Sequence, residues 1–186
     1  MVAWSSLLLP ALVSTVLVFV ASSVVHMVLK LHNSEYKKLS NEDEVRAAIR
    51  RGAPAPGQYI LPHCVDGKDA AHPEMARKFE EGPVGVLYVG ANGTIKLGPF
   101  LGKWVVYSFI VALLAGYLAR ATLPPGTTYL KVFQVIGAAA WLAYAWQSPS
   151  DSVWKHKPWR VTFSGMFDGL VYASLTAGSF AWLWPK

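Results

Sequence analysis

The sequence predicts an all-α membrane fold: a four-transmembrane-helix bundle with a small α+β cytoplasmic insertion between spans one and two. Three observations predict it. Of 186 residues, 53% are hydrophobic and 15% charged, whereas a soluble domain carries about 25% charged residues. Apolar runs near the length needed to cross a bilayer, about 20 residues, recur along the chain, and mean hydropathy is +0.32. Trp and Tyr collect at the ends of those runs, as in the aromatic belts of membrane proteins.

The composition excludes a disordered chain, a nucleic-acid-binding arm and a small disulfide scaffold. Cys64 is the single cysteine, so no intrachain disulfide is possible. The net charge is +6, but Lys30–Lys103 holds 11 basic and 9 acidic residues and is nearly neutral. The surplus flanks the apolar runs, where cations anchor helices to the interface.

Span one is expected near Trp4–Leu29, within residues 1–29: no Asp, Glu, Lys or Arg precedes Lys30. A cleavable signal peptide is the competing reading. It requires a basic start, which Met1–Trp4 lacks, and a shorter apolar core, so a retained helix is favoured. Pro10 is expected to kink the helix or mark its start.

Residues 30–102 are expected to form the cytoplasmic insertion. Ser40 and Asn41 ahead of three acids predict a helix start, with Arg50, Arg51 and Gly52 at its end. Ala53-Pro54-Ala55-Pro56-Gly57 reads as a linker, and Tyr59-Ile60-Leu61 as a short strand stopped by Pro62. Pro73 suits the first turn of a helix over Pro73–Glu81. Val84–Val89 reads as a strand, and the Asn92-Gly93 turn predicts a hairpin with Thr94–Leu97.

Spans two to four are expected within 103–186. Span two runs from about Gly102 to Arg120, and Leu123-Pro124-Pro125-Gly126-Thr127 breaks the chain. Span three covers about Tyr129–Gln147, and span four about Trp159–Trp184. Four spans put both termini on one side. Lys30, Lys37, Lys38, Lys96, Lys103, Lys155, Lys157 and Arg160 flank the other side, against Arg120, Lys131 and Lys186 on the terminal side. The positive-inside rule then places the insertion in the cytoplasm and both termini outside. Lys37, Lys38, Lys155, Lys157 and Arg160 are also placed to contact lipid heads.

Asp168 is the sharpest chemical signal, because an ionisable group within a span is costly. Ser164, Asp168, Tyr172 and Thr176 recur every four residues as a polar stripe. Beside it run Gly165, Gly169, Ala173, Ala177 and Ala181, small enough to admit a neighbouring helix. The stripe fits interhelical hydrogen bonding more readily than a proton or substrate site. Partners for Asp168 are sought at Ser164, at Tyr172, or on a polar group of another span. His63, Cys64 and His72 share one polar loop and are the candidate metal ligands, but their spacing matches no metal motif. With His26 alone within a span, a bis-histidine haem is not expected. No nucleophile elbow or phosphate loop is present.

Phe167-Asp168-Gly169-Leu170-Val171-Tyr172, Leu175-Thr176-Ala177-Gly178 and Trp182-Leu183-Trp184-Pro185 form a distinctive closing stretch. Early in the chain stand His26-Met27-Val28-Leu29-Lys30, Tyr36-Lys37-Lys38-Leu39 and Asn41-Glu42-Asp43-Glu44-Val45. Together they resemble a group of bacterial proteins described only as hypothetical membrane proteins. The resemblance implies a bacterial inner membrane and a multi-span form. It carries no established activity and transfers no catalytic residue.

The expected function is that of a small integral membrane protein acting as an accessory, assembly or scaffold component through helix packing. No catalysis and no cofactor are expected. Its partners would be the lipid bilayer and further copies of itself or other membrane subunits, not nucleic acid. One alternative is a proton-coupled transporter or channel component using Asp168. The other is a membrane enzyme acting on lipid or quinone, in which Asp168 converges with His26, His32 or His63 near the cytoplasmic interface.

Overall fold

Long apolar runs become helices here, and prolines and glycines set their ends. The computed structural model describes residues 2–186. Helix α1 (Ser5–Ser23) carries Pro10 inside it, five residues after its start, and continues into a π-helical turn, Val24–Val28. Lys30, at φ 52°, ends the run, and a 3₁₀ turn follows at Asn33–Glu35. Helix α5 (Leu97–Thr122) starts earlier than the expected Gly102. Pro99 falls in its first turn, where a missing N–H costs no helical hydrogen bond. Helix α6 is Tyr129–Ala145 and helix α8 is Trp159–Trp182. The connection between them, to which the sequence assigns no element, holds a further short helix, α7 (Ser148–Trp154). Pro149 and Asp151 in its opening turn suit a helix N-terminus.

The chain divides into two compact units. The first comprises Met1–Glu35, Lys96–Ser152 and Lys157–Lys186, and the second Tyr36–Ile95 and Val153–His156. In the first unit α8 packs on α6 and α1, and α5 packs on α1 and α6. The contact faces are rich in small residues: Ala112, Ala115, Gly116 and Ala119 on α5, Ala140 on α6, and Gly169, Ala173, Ala177 and Ala181 on α8 are buried. Leu7, Val18, Val132, Ile136 and Phe180 are buried among them, while many other large apolar side chains point outward. Leu8, Leu9, Leu12 and Val16 on α1 are exposed, as are Val106, Ile110, Leu114 and Leu118 on α5 and Phe163 and Phe167 on α8. The turn after α5 is fastened to the C-terminus, where the Gly126 N–H donates to the Pro185 carbonyl and the Trp184 indole N–H to the Pro124 carbonyl.

Two helices are long and apolar enough to cross a membrane, Ser5–Val28 and Leu97–Thr122. Helix α6 is shorter, at 17 residues, and the 24 residues of α8 include Ser164, Asp168, Thr176 and Ser179, which dilute its apolar character.

The second unit contains α2 (Glu42–Arg51), α3 (Gly67–Ala70), α4 (Pro73–Glu81) and strands β1 (Gly57–Leu61) and β2 (Gly85–Val89). Helices α2 and α4 and strand β1 stand where the sequence puts them. The expected hairpin does not form. Strand β2 pairs antiparallel with β1, from Gly57 opposite Val89 to Leu61 opposite Gly85, and residues 94–96 carry no strand. The physical reason is length and partner quality. Strand β1 matches all five residues of β2 and sets Tyr59 opposite Leu87 and Ile60 opposite Val86, pairings that stabilise a ladder. The Thr94–Lys96 stretch is cut short by the start of α5 at Leu97.

Candidate functional site: a histidine–carboxylate cluster

Three local structures of the first unit bring four side chains together. The first is the π-helical turn at the end of α1. Such turns take an extra residue per repeat and are frequent at functional sites. Here it leaves His26 Nδ1 3.0 Å from the Ser22 carbonyl oxygen. That oxygen only accepts, so Nδ1 carries a proton and Nε2 is the nitrogen turned toward Asp168.

The second is the 3₁₀ turn, in which side chains three apart stand over one another. His32 and Glu35 have that spacing, and His32 Nδ1 donates to Glu35 Oε1 at 2.9 Å. The third is α8, which carries Asp168, with Ser164 one turn earlier and Arg160 two turns earlier. Asp168 is only 8% exposed. Its Oδ2 lies 2.8 Å from His32 Nε2 and 3.7 Å from His26 Nε2. The His26 and His32 rings stack at 4.7 Å, 17° from parallel.

The short His32–Asp168 separation is an ion-pair distance without hydrogen-bond alignment. The Nε2 atom of His32 is buried and has no hydrogen-bond partner. Burial pulls the His32 imidazole down, but the Glu35 hydrogen bond and the charges of Asp168 and Glu35 outweigh it, so His32 is held above the ordinary histidine value. Glu35 mirrors this. Burial raises it, yet the hydrogen bonds from His32 and Ser164, with the charges of His32 and Arg160, hold it below the ordinary carboxylate value.

A cavity of about 360 Å³ opens beside the cluster, between α1, α5 and α8. It is lined by Met27, Leu97, Leu101, Trp104 and Gly165, with Ser22, Ser23, His26, Asp168 and Tyr172 as its polar members. The volume is that of a small-molecule site. A Cβ placed on Gly165 would meet nothing within 4 Å, so this glycine widens the cavity rather than seating a helix.

The partners of Asp168 therefore differ from those its own helix offers. Ser164 serves Glu35. Tyr172 is buried edge-on to Trp104 and Tyr144, and its hydroxyl has no hydrogen-bond partner. Thr176 donates to the Tyr172 carbonyl. Gly169 meets Ala145 and Tyr144 of α6, and Ala177 meets Gly137, so the small-residue ridge is covered within the chain.

Among the described residues the group fit to hold a metal ion is His26, His32 and Asp168. It is not the candidate set His63, Cys64 and His72. Those three belong to the second unit, where the Cys64 thiol donates to the Asp66 carbonyl and His72 precedes α4. Of the candidate lipid contacts, Lys157 bonds the Ser148 hydroxyl at 2.7 Å and Arg160 acts on Glu35. Lys37, Lys38 and Lys155 lie in the second unit. Sequence reasoning named His26 and His32 among the groups that Asp168 could meet but missed Glu35, whose spacing from His32 is its only signal. Comparison with protein-family models, with curated proteins and with solved structures finds no match to this chain.

Proposed function

We propose that this is a four-span integral membrane protein of a bacterial inner membrane that binds a neutral-headed amphiphile. Its spans are α1, α5, α6 and α8, its termini lie outside, and its second unit lies in the cytoplasm. The inverted packing of the four helices supports the embedding. Small residues predominate at the contacts of α5 and α8, while many Leu, Val, Ile and Phe side chains of α1, α5 and α8 face outward. In water such a surface would be a large exposed apolar patch; in lipid it is the expected exterior, with small residues at the helix contacts.

The observation that carries the function is the apolar cavity ending in His26 and Asp168. The apolar walls suit a hydrocarbon or isoprenoid chain. The polar end offers an imidazole and a carboxylate, and no Lys or Arg lines it. An anionic phospholipid head would meet the Asp168 carboxylate with no lysine or arginine in the lining to offset it. A hydroxyl or carbonyl head, such as that of a quinol or quinone, would instead find hydrogen-bond partners. This favours the lipid- or quinone-binding reading over packing alone, since the ridge that would recruit a partner is spent within the chain.

The test is extraction of the detergent-purified protein and mass spectrometry of the extract. Wild type should carry an isoprenoid quinone or another neutral amphiphile. Gly165→Leu should lose it while keeping helical content, since the added side chain has the cavity to occupy. An empty wild-type protein, or equal retention by the variant, would count against the reading.

A further inference from the structure

We propose that His26, His32 and Asp168 form a binding site for one divalent transition-metal ion, with Glu35 as the carboxylate that positions His32. The argument begins from the two imidazoles. Each has its Nδ1 proton committed to an oxygen that accepts it, the Ser22 carbonyl at 3.0 Å and the Glu35 carboxylate at 2.9 Å. Metal-bound histidines characteristically donate their second nitrogen in this way, to a backbone carbonyl or a carboxylate. Both Nε2 atoms are thereby left to face the same atom, Asp168 Oδ2, at 3.7 and 2.8 Å.

The second observation is the buried Nε2 of His32. It has no hydrogen-bond partner although a carboxylate oxygen lies 2.8 Å away. Tetrahedral ligands at about 2.0–2.2 Å from a metal stand about 3.3–3.6 Å apart, a spacing bracketed by the 2.8 Å of His32 and the 3.7 Å of His26 from Asp168. All three ligand atoms lie within 4.8 Å of one another. The parallel stacking of the rings means that His26 must tilt to complete the set. It is the half-exposed member, and its side chain has room to turn.

Two imidazoles and one carboxylate select zinc or a neighbouring first-row ion over magnesium or calcium, which prefer all-oxygen sites. Three protein ligands leave positions open. His26 and Asp168 both line the apolar cavity, so an open position faces it. The metal site stands on the ligand geometry and not on the occupant of that cavity.

The experiment uses the full chain in detergent, stripped with EDTA and titrated with Zn²⁺ by calorimetry and with Co²⁺ by visible absorption. One equivalent per chain and a cobalt ligand-field band are expected. His32→Ala and Asp168→Asn should abolish the band. Glu35→Gln should weaken binding about 10- to 100-fold while retaining the band, as loss of a supporting carboxylate does. His26→Gln, at a half-exposed position, carries the test should the buried variants fail to fold, and should weaken binding at least about tenfold. Cys64→Ala and His63→Ala should bind as wild type does. No stoichiometric binding by wild type, unchanged binding by His26→Gln, or loss of binding in Cys64→Ala would overturn the proposal. Amphiphile content of the same samples is read separately, so either proposal can fail alone.

Discussion

Gly169 lies where α8 comes closest to α6, and its replacement gives a worked magnitude. A Cβ built there would stand 2.9 Å from Ala145 Cβ, 3.3 Å from Tyr144 Cβ and 3.4 Å from Ala145 Cα. All three atoms are at or next to the backbone and cannot rotate away. One turn earlier, Gly165 would meet nothing within 4 Å. Alanine at either site gains the same helix propensity, about 1 kcal/mol over glycine. Comparing Gly169→Ala with Gly165→Ala therefore cancels propensity and isolates the contact. Overpacking of a close interface costs about 1–3 kcal/mol, or roughly 5- to 150-fold in the unfolding equilibrium. Unfolding by SDS in mixed micelles, followed by circular dichroism, measures the difference. Gly169→Ala should unfold at lower SDS than Gly165→Ala, and Gly169→Leu should reduce the amount of folded protein recovered. A Gly169→Ala protein as stable as Gly165→Ala would refute the seating of α8 on α6 at this point.

Two further outcomes follow from the same structure. In the metal-free protein, the stability contributed by His32 is fully present below its ordinary value of 6.5 and is lost as pH rises through its raised folded value. That of Glu35 is present above its ordinary 4.5 and is lost as pH falls through its lowered value. The stability gap between wild type and Glu35→Gln, measured in EDTA, should thus be widest between about pH 4.5 and 6.5 and narrow on both sides; a gap independent of pH would contradict the pairing. For topology, a membrane-impermeant maleimide should leave Cys64 unlabelled in intact spheroplasts and label it in inverted vesicles, and labelling of spheroplasts would reverse the orientation.

The elements most legible in the sequence are those that a local rule dictates. Pro73 opens α4, Gly52 follows α2, and Leu123-Pro124-Pro125 ends α5. Each stop acts on its own neighbours, so no knowledge of the fold is needed. Strand pairing is another matter. Residues Val86, Leu87 and Val89 mark β2 as a strand, but nothing in them says that its partner lies before α3 rather than after Asn92-Gly93. That choice is made by competition between two partners, and it falls to the one whose full length is free to pair. Helix α7 was missed for a different reason. Pro149 reads as a breaker when taken alone, and only its place in a first turn makes it compatible with a helix.

The cluster was legible as parts and not as a whole. Asp168 stands out because a carboxylate amid apolar residues demands compensation. Its own helix offers hydroxyls at Ser164 and Tyr172, and sequence periodicity can see no further than that helix. The compensation comes instead from the end of α1, through two unusual turns that periodicity does not register. The π-helical turn places His26, and the 3₁₀ turn stacks His32 on Glu35. Lys30, with its left-handed backbone, redirects the chain between them. This geometry also explains why a second carboxylate is present. Glu35 holds the Nδ1 side of His32 while Asp168 faces its Nε2 side, so one imidazole is fixed from both edges. A helix that needed only to neutralise Asp168 would be served by a single histidine. The two Nδ1 hydrogen bonds that orient His26 and His32, and the cavity that opens onto the group, are features that neutralisation does not require.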